Sequence, residues 1–144
     1  MNDTLTKFGF PDSVIKAYQH WSVLLRPEQV TLGSLILANH SDALAFGDIT
    51  DHAMEELSTI TKDIEASLTS CFSYDKINYL MLMMVDPHVH FHVIPRYSTP
   101  REYQAIITAD QNWPGPPDLS SKIPLSVTQK AALLEQLKTR WISH

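Results

Sequence analysis

The chain has 144 residues, 44% hydrophobic and 19% charged, which suits one globular domain with a single substantial core. A net charge of −5 excludes general nucleic-acid binding, which needs clustered positive charge, yet leaves room for a small phosphorylated ligand held by a few arginines. No apolar run reaches the length of a membrane span, the start Met1-Asn2-Asp3-Thr4 has no secretory pattern, and Cys71 is the lone cysteine, so no membrane association, no intrachain disulfide and a cytoplasmic location are expected.

Residues 14–18 and 21–25 are rich in β-branched and aromatic side chains and read as the two strands of a hairpin. Gly33 marks the entry to a third strand over 34–38. Met54, Leu57, Ile60, Ile64 and Leu68 recur at spacings of three and four, the apolar stripe of a core-facing helix over 51–69. Thr50 is placed to cap it, and Asp51, Glu55 and Glu56 put negative charge near its start, where the helix dipole favours it. Residues 77–85 follow as a strand, and the nearly continuous apolar run over 80–85 suits a strand covered on both faces. The histidine-bearing strand comes next. After Tyr97 a long loop is expected, because Trp113-Pro114-Gly115-Pro116-Pro117 excludes regular structure. Ser126 and Gln129 have capping-box spacing and open a last helix to about Trp141, with Val127, Leu134, Leu137 and Trp141 on one side. Strands that follow strands closely give an α+β class with an antiparallel sheet. The expected organisation is one domain over 1–144, with a core at about 8–98 and a C-terminal loop and helix at about 99–144.

Residues 86–96 read Asp-Pro-His-Val-His-Phe-His-Val-Ile-Pro-Arg. His88, His90 and His92 alternate with Val89, Phe91 and Val93, so an extended strand carries three imidazoles on one face and apolar side chains on the other. Pro87 and Pro95 bracket the run. Three readings compete. The first is a half-exposed strand whose outer face happens to carry histidine. The second is a metal site, limited by geometry: same-face positions lie roughly 6.6 Å apart, so two neighbours converge on one ion more readily than three. The third is nucleophilic catalysis by the middle imidazole, with a partner on each side to hold a bound anion.

The run from His88 to Ile94 resembles the histidine triad family, whose pattern is His-φ-His-φ-His-φ-φ with φ apolar, and it matches at every position. A weaker resemblance extends over about residues 21–113. It implies a five-stranded antiparallel sheet with a central and a C-terminal helix, usually as a homodimer. It also implies a nucleotidyl hydrolase or transferase acting at the α-phosphate of a nucleoside phosphoramidate or dinucleoside polyphosphate through a nucleotidyl-histidine intermediate. No metal and no other cofactor is required on this reading. His90 is then the nucleophile. Its second ring nitrogen must carry the proton, so a backbone carbonyl or similar acceptor should hold that N–H. His88 and His92 flank the phosphate as hydrogen-bond donors, and the resemblance points to His92 as the group that protonates the leaving group, while the sequence by itself leaves His88 open for that role.

The substrate contacts on this reading are Arg26, Ser34, Asn78, Asp86, Arg96 and Trp113. Arg26 stands where relatives have an Asp or Asn that contacts the ribose, and it offers only donors. Ser34 stands where many members have histidine after the glycine. Asp86 ends an apolar stretch, 82–86, where members commonly carry a small polar segment that contacts phosphate. Asn78 lies where the family often has a phosphate-contacting amide. Arg96 and Arg101 offer bidentate phosphate binding. Trp113 resembles the aromatic-and-proline loop that shapes specificity in some members. His20, His40, His52 and His144 read as surface residues, with His40 close enough in sequence to a strand end to approach the site. The four glycines are scattered, so there is no phosphate-cradling loop. Two other functional classes stay open: a nucleotide-binding or sensing protein without efficient turnover, and a metalloprotein using His88 and His90.

Overall fold

A computed structural model describes residues 2–144. It opens with a short helix, α1 (Asp3–Lys7), which has no counterpart among the elements expected from sequence. The Asn2 side chain caps it, accepting from the Leu5 amide at 2.9 Å. The helix stops at Phe8, because Gly9 takes φ +94° and a Cβ there would collide with the Ser13 side chain. Strands β1 (Val14–Ala17) and β2 (Trp21–Leu25) form the expected hairpin. A two-residue strand, β3 (Glu28–Gln29), precedes Gly33, whose φ of +89° and contact with the Phe72 ring turn the chain into β4 (Leu35–Asn39). Next come the long helix α2 (Asp51–Phe72) and the strands β5 (Lys76–Leu80) and β6 (His90–Arg96). A small hairpin of β7 (Arg101–Tyr103) and β8 (Ile106–Thr108), a strand β9 (Ile123–Pro124) paired to β3, and helix α3 (Val127–Thr139) complete the chain.

Five strands form one antiparallel sheet in the order β1-β2-β4-β6-β5, giving the α+β architecture expected from sequence. Register decides which side chains share a face. His90 lies opposite Ala38, His92 opposite Ile36 and Leu80, Ile94 opposite Asn78, and Arg96 opposite Lys76. Directly paired residues point the same way, so these groups share one face. On the other face Val23, Leu25, Leu35, Leu37 and Val93 pack with Ile60, Ile64 and Leu68 of α2 in the main core. A smaller cluster covers part of the histidine face, where Leu5 and Phe8 pack on Leu24, Ile36 and Ala38. Burying each of those two side chains stabilises by about 1.5–3 kcal/mol, which holds in place a helix too short to persist alone.

Several expected boundaries move, each for a local reason. The strand expected over 77–85 ends at Leu80, and 81–89 leave the sheet with Met84 82% and Val85 85% exposed. β5 is an edge strand, so no strand beyond it supports the continuation, and an apolar run alone does not separate a covered strand from an apolar loop. His88 accordingly sits ahead of β6 instead of inside it. Pro95 lies within β6, opposite Ile77, past the last residue paired to β4, Val93; its carbonyl accepts from Thr31 Oγ1 at 2.5 Å.

α2 is capped by Thr50, as expected, and continues three residues past Thr69. Its buried stripe keeps Ile60, Ile64 and Leu68 but takes in Ala53 and leaves Met54 exposed. Trp21 fixes that choice, donating from Nε1 to the Ala53 carbonyl at 2.8 Å. The capping box of Ser126 and Gln129 opens α3, which ends at Thr139, before Trp141. Val127, at the free first turn, is exposed, while Leu133 and Leu137 are buried. The loop expected after Tyr97 contains the β7–β8 hairpin, whose two-residue turn places Gln104 and Ala105 at φ +46° and +67°. Neither residue is the Asn or Gly that normally announces such a turn.

Candidate functional site

The histidines meet at the end of β6, beneath α1. His90 is fully buried, and its Nδ1 donates to the His88 carbonyl at 2.7 Å. A carbonyl only accepts, so the His90 proton resides on Nδ1, and Nε2 carries a free lone pair. That Nε2 is buried and has no hydrogen-bond partner among the described residues. The His92 ring lies 5.2 Å from the His90 ring, nearly edge-on, and its Nδ1 is likewise buried and unpartnered. His88 contributes its carbonyl to His90, while its own ring Nδ1 is bonded to Thr4 Oγ1 at 2.9 Å. Two imidazoles thus share the sheet face, and the third is turned towards α1.

Phe8 closes the site. Its ring centroid lies 5.5 Å from that of His90 and 5.9 Å from that of His92. Burial, then the neighbouring Arg26 guanidinium and His90, push the His92 pKa down to about 4, against a weaker opposing pull from Asp86. His92 is therefore neutral at pH 7.

Beside His92 opens a cavity of about 320 Å³ lined by Lys7, Phe8, Arg26, Pro27, Glu28, Asp86 and Lys122. Lys7 pairs with Asp86, and Lys122 with Glu28 at 3.4 Å. Arg26 is only 7% exposed; its Nη1 donates to the Glu28 carbonyl at 2.6 Å, while its Nε is buried without a partner among the described residues. Of the residues expected from sequence, Arg26 and Asp86 therefore join the histidines. Phe8, Thr4, Lys7, Glu28 and Lys122 were not expected there. Asn2 as a cap, Leu5 and Phe8 three apart, and the stop at Gly9 were the available signals for α1.

The remaining expected residues lie elsewhere. The Ser34 hydroxyl is fully buried in its own turn, donating to the Thr31 carbonyl at 2.7 Å and accepting from the Thr31 amide at 3.1 Å. Asn78, Arg96 and Trp113 line a separate cavity of about 440 Å³ with Lys76 and Pro114-Gly115-Pro116. Arg96, 4% exposed, is bonded at every turn: to both Asp110 carboxylate oxygens at 2.5 and 2.9 Å, to Asn78 Oδ1 at 2.8 Å and to the Gly115 carbonyl at 2.7 Å. Burial opposes the ionisation of Asp110, but the Arg96 hydrogen bonds and charge together with the Asn112 and Tyr97 amides outweigh it and hold the carboxyl below the usual range. His40 bonds to Ser22 Oγ at 2.8 Å, and His144 to Asp63 at 2.7 Å, neither of them in the histidine cavity. Among the described residues, no group of three or more His, Cys, Asp or Glu side chains is arranged to hold a metal ion.

Solved structures share this architecture. A histidine triad protein from Bradyrhizobium japonicum matches with a TM-score of 0.74 and 20% identity, over 99% of this chain and 97% of that one. A hypothetical histidine triad nucleotide-binding protein from Sulfolobus tokodaii matches at 0.68 and 13% identity, over 95% and 88%. Diadenosine triphosphate hydrolase from Plasmodium falciparum, in complex with cyclomarin A, matches at 0.65 and 10% identity, over 96% and 77%. No family model matches the sequence. No curated protein matches it. The chain has the fold of histidine triad proteins.

Proposed function

We propose that the protein is a nucleotidyl hydrolase or transferase of the histidine triad type, with His90 as nucleophile. The observation that carries this reading is the His90 tautomer: Nδ1–H is held by the His88 carbonyl, which leaves the Nε2 lone pair free. In the first step Nε2 forms a bond to the α-phosphorus as the bond from phosphorus to the leaving group breaks, and that electron pair departs with the leaving group. Water or another hydroxyl then attacks phosphorus, the N–P bond returns its pair to Nε2, and the acceptor's proton passes to solvent. His92 enters neutral and serves as a hydrogen-bond partner to the phosphoryl oxygens; at pH 7 it does not arrive as a proton donor. Arg26 lines a cavity with His92, and its guanidinium there would offset negative charge on a phosphoryl group held by His92. A soluble, cytoplasmic homodimer is part of this reading. The open edge of β5 and the exposed apolar Leu82, Met84 and Val85 that follow it support a subunit contact there.

The sealed His90 also favours a second reading, a nucleotide-binding protein without turnover, because no substrate reaches Nε2 while Phe8 stays in place. Incubation with adenylylated and guanylylated compounds separates the two. Turnover that is lost in His90→Asn, with the fold intact, supports the nucleophile; binding without turnover in the wild type supports the second reading.

A further inference from the structure

Thr4 of α1 makes two hydrogen bonds to one residue, His88. Its Oγ1 accepts from the His88 backbone amide at 3.3 Å and is bonded to the His88 ring Nδ1 at 2.9 Å. Thr4 is 2% exposed, and among the described residues its hydroxyl proton has no other acceptor. The hydroxyl therefore donates to Nδ1, which puts the His88 ring proton on Nε2. Docking of α1 does not account for these bonds. Asn2 Nδ2 already ties the helix start to the Asn39 and Ser41 carbonyls at 3.1 and 2.8 Å. Leu5 and Phe8 pack on Leu24, Ile36 and Ala38, and Lys7 pairs with Asp86.

The two bonds fix the residue that controls His90. His88 lies ahead of β6, so neither its amide nor its carbonyl belongs to the sheet ladder. The amide goes to Thr4, and the carbonyl accepts from His90 Nδ1 at 2.7 Å. The peptide that carries this carbonyl is held at its other end by the Val89 amide, which donates to the Ala43 carbonyl at 3.0 Å. Thr4 holds the His88 side of it. If that carbonyl swings away, the His90 proton is free to relocate to Nε2, and an imidazole protonated there has no lone pair for phosphorus. Resting on the catalytic reading above, we propose that Thr4 is a positioning residue for phosphoryl transfer. Through His88 it holds the carbonyl that keeps Nε2 of His90 unprotonated. Helix α1 thus carries both the group that covers Nε2, Phe8, and the group that keeps its lone pair free, Thr4. Only Phe8 has to move for substrate to enter.

Nitrogen NMR of the histidine rings in the full chain reads the tautomer without any turnover, and kinetics with adenylylated compounds reads its consequence. Wild-type His90 should carry its proton on Nδ1. Thr4→Val keeps the side-chain shape and removes the hydroxyl, so the Nε2–H form of His90 should appear. In the same variant kcat should fall about ten- to a hundredfold with KM changed by less than about twofold, the loss usual for a group that orients an imidazole from behind. Thr4→Ser restores the hydroxyl and should return both readouts towards wild type. Thr6→Val, on the exposed side of the same helix, should change neither. Should Thr4→Val not fold, Thr4→Ala set against Thr4→Ser carries the same comparison. A Thr4→Val protein whose His90 keeps the Nδ1–H form alone overturns the positioning role; turnover by the wild type in that case leaves the catalytic reading standing. A tautomer shift in Thr4→Val, with no turnover by the wild type, keeps the hold of Thr4 on His90 and removes the catalytic reading.

Discussion

Arg26 and Arg96 are buried to nearly the same extent, at 7% and 4% exposure, yet their surroundings are opposite. Arg96 has a bidentate carboxylate, an amide oxygen and a carbonyl, so each face of its guanidinium is matched inside the protein. Arg26 has one carbonyl, an orphaned Nε and a cavity that also reaches His92. Both were expected among the substrate contacts from sequence, Arg26 where relatives contact the ribose and Arg96 as a bidentate phosphate binder. The difference lies in saturation. Where the protein completes the hydrogen bonding of a buried charge, the charge is structural; where it leaves that unfinished beside a cavity, a ligand is the missing part. The two histidines follow the same rule, because the unpartnered atoms Nε2 of His90 and Nδ1 of His92 lie in the same neighbourhood as Arg26.

The comparison breaks most readily at Arg96. Removing its side chain leaves Asp110 buried without a counter-charge, so Arg96→Ala should destabilise the protein by about 3–5 kcal/mol in urea unfolding. Arg26→Gln removes no ion pair and takes away a buried charge whose hydrogen bonding is unfinished, so stability should stay level or rise. Equal losses in the two variants would end the distinction between a structural and a ligand-facing arginine.

His92 gives a pH test of the same neighbourhood. Arg26, His90, Asp86 and the Phe8 ring face it, and its pKa falls from 6.5 unfolded to about 4 folded. Between those values the unfolded chain binds a proton that the folded chain refuses, so stability rises with pH across the window and is lost on acidification. The contribution is about 3 kcal/mol between pH 7 and pH 4. His92→Gln should flatten the stability profile over that range; an unchanged profile contradicts the burial of a neutral His92.

A smaller loss of stability than at Arg96 is expected at Phe8. Phe8→Ala should destabilise by about 2 kcal/mol through lost burial. The same variant should expose His90, read as faster modification by an imidazole-directed acylating reagent with His90 as the added site. No change in that rate would mean that Phe8 does not control access.

Much of this fold was readable because its signals are local. The capping residues Thr50 and Ser126 mark where α2 and α3 begin, the alternation in 88–94 marks β6, and Gly33 marks the turn into β4. The failures occur where tertiary context decides. The run 80–85 has strand composition but follows an edge strand, and Gln104-Ala105 makes a hairpin turn without turn residues. At the site, the triad and Arg26 were accessible from spacing and resemblance. Lys7 and Lys122 were not, since they lie 115 positions apart in sequence and meet only through the placement of α1 and β9 on the sheet. Asn78, Arg96 and Trp113 were grouped with the triad by chemistry, whereas the bonding of Arg96 draws Asn78 and the 110–115 loop into a separate cluster.

The central claim is that the free Nε2 of His90 forms a bond to phosphorus. Rapid acid quenching of the protein with a nucleoside polyphosphate, followed by intact-mass and peptide mass spectrometry, tests it directly. The account predicts a nucleotidyl adduct mapped to His90, absent in His90→Ala, together with a loss of turnover of at least about a thousandfold in that variant. Turnover that persists in His90→Ala, or an adduct mapped to His88 or His92, would contradict it.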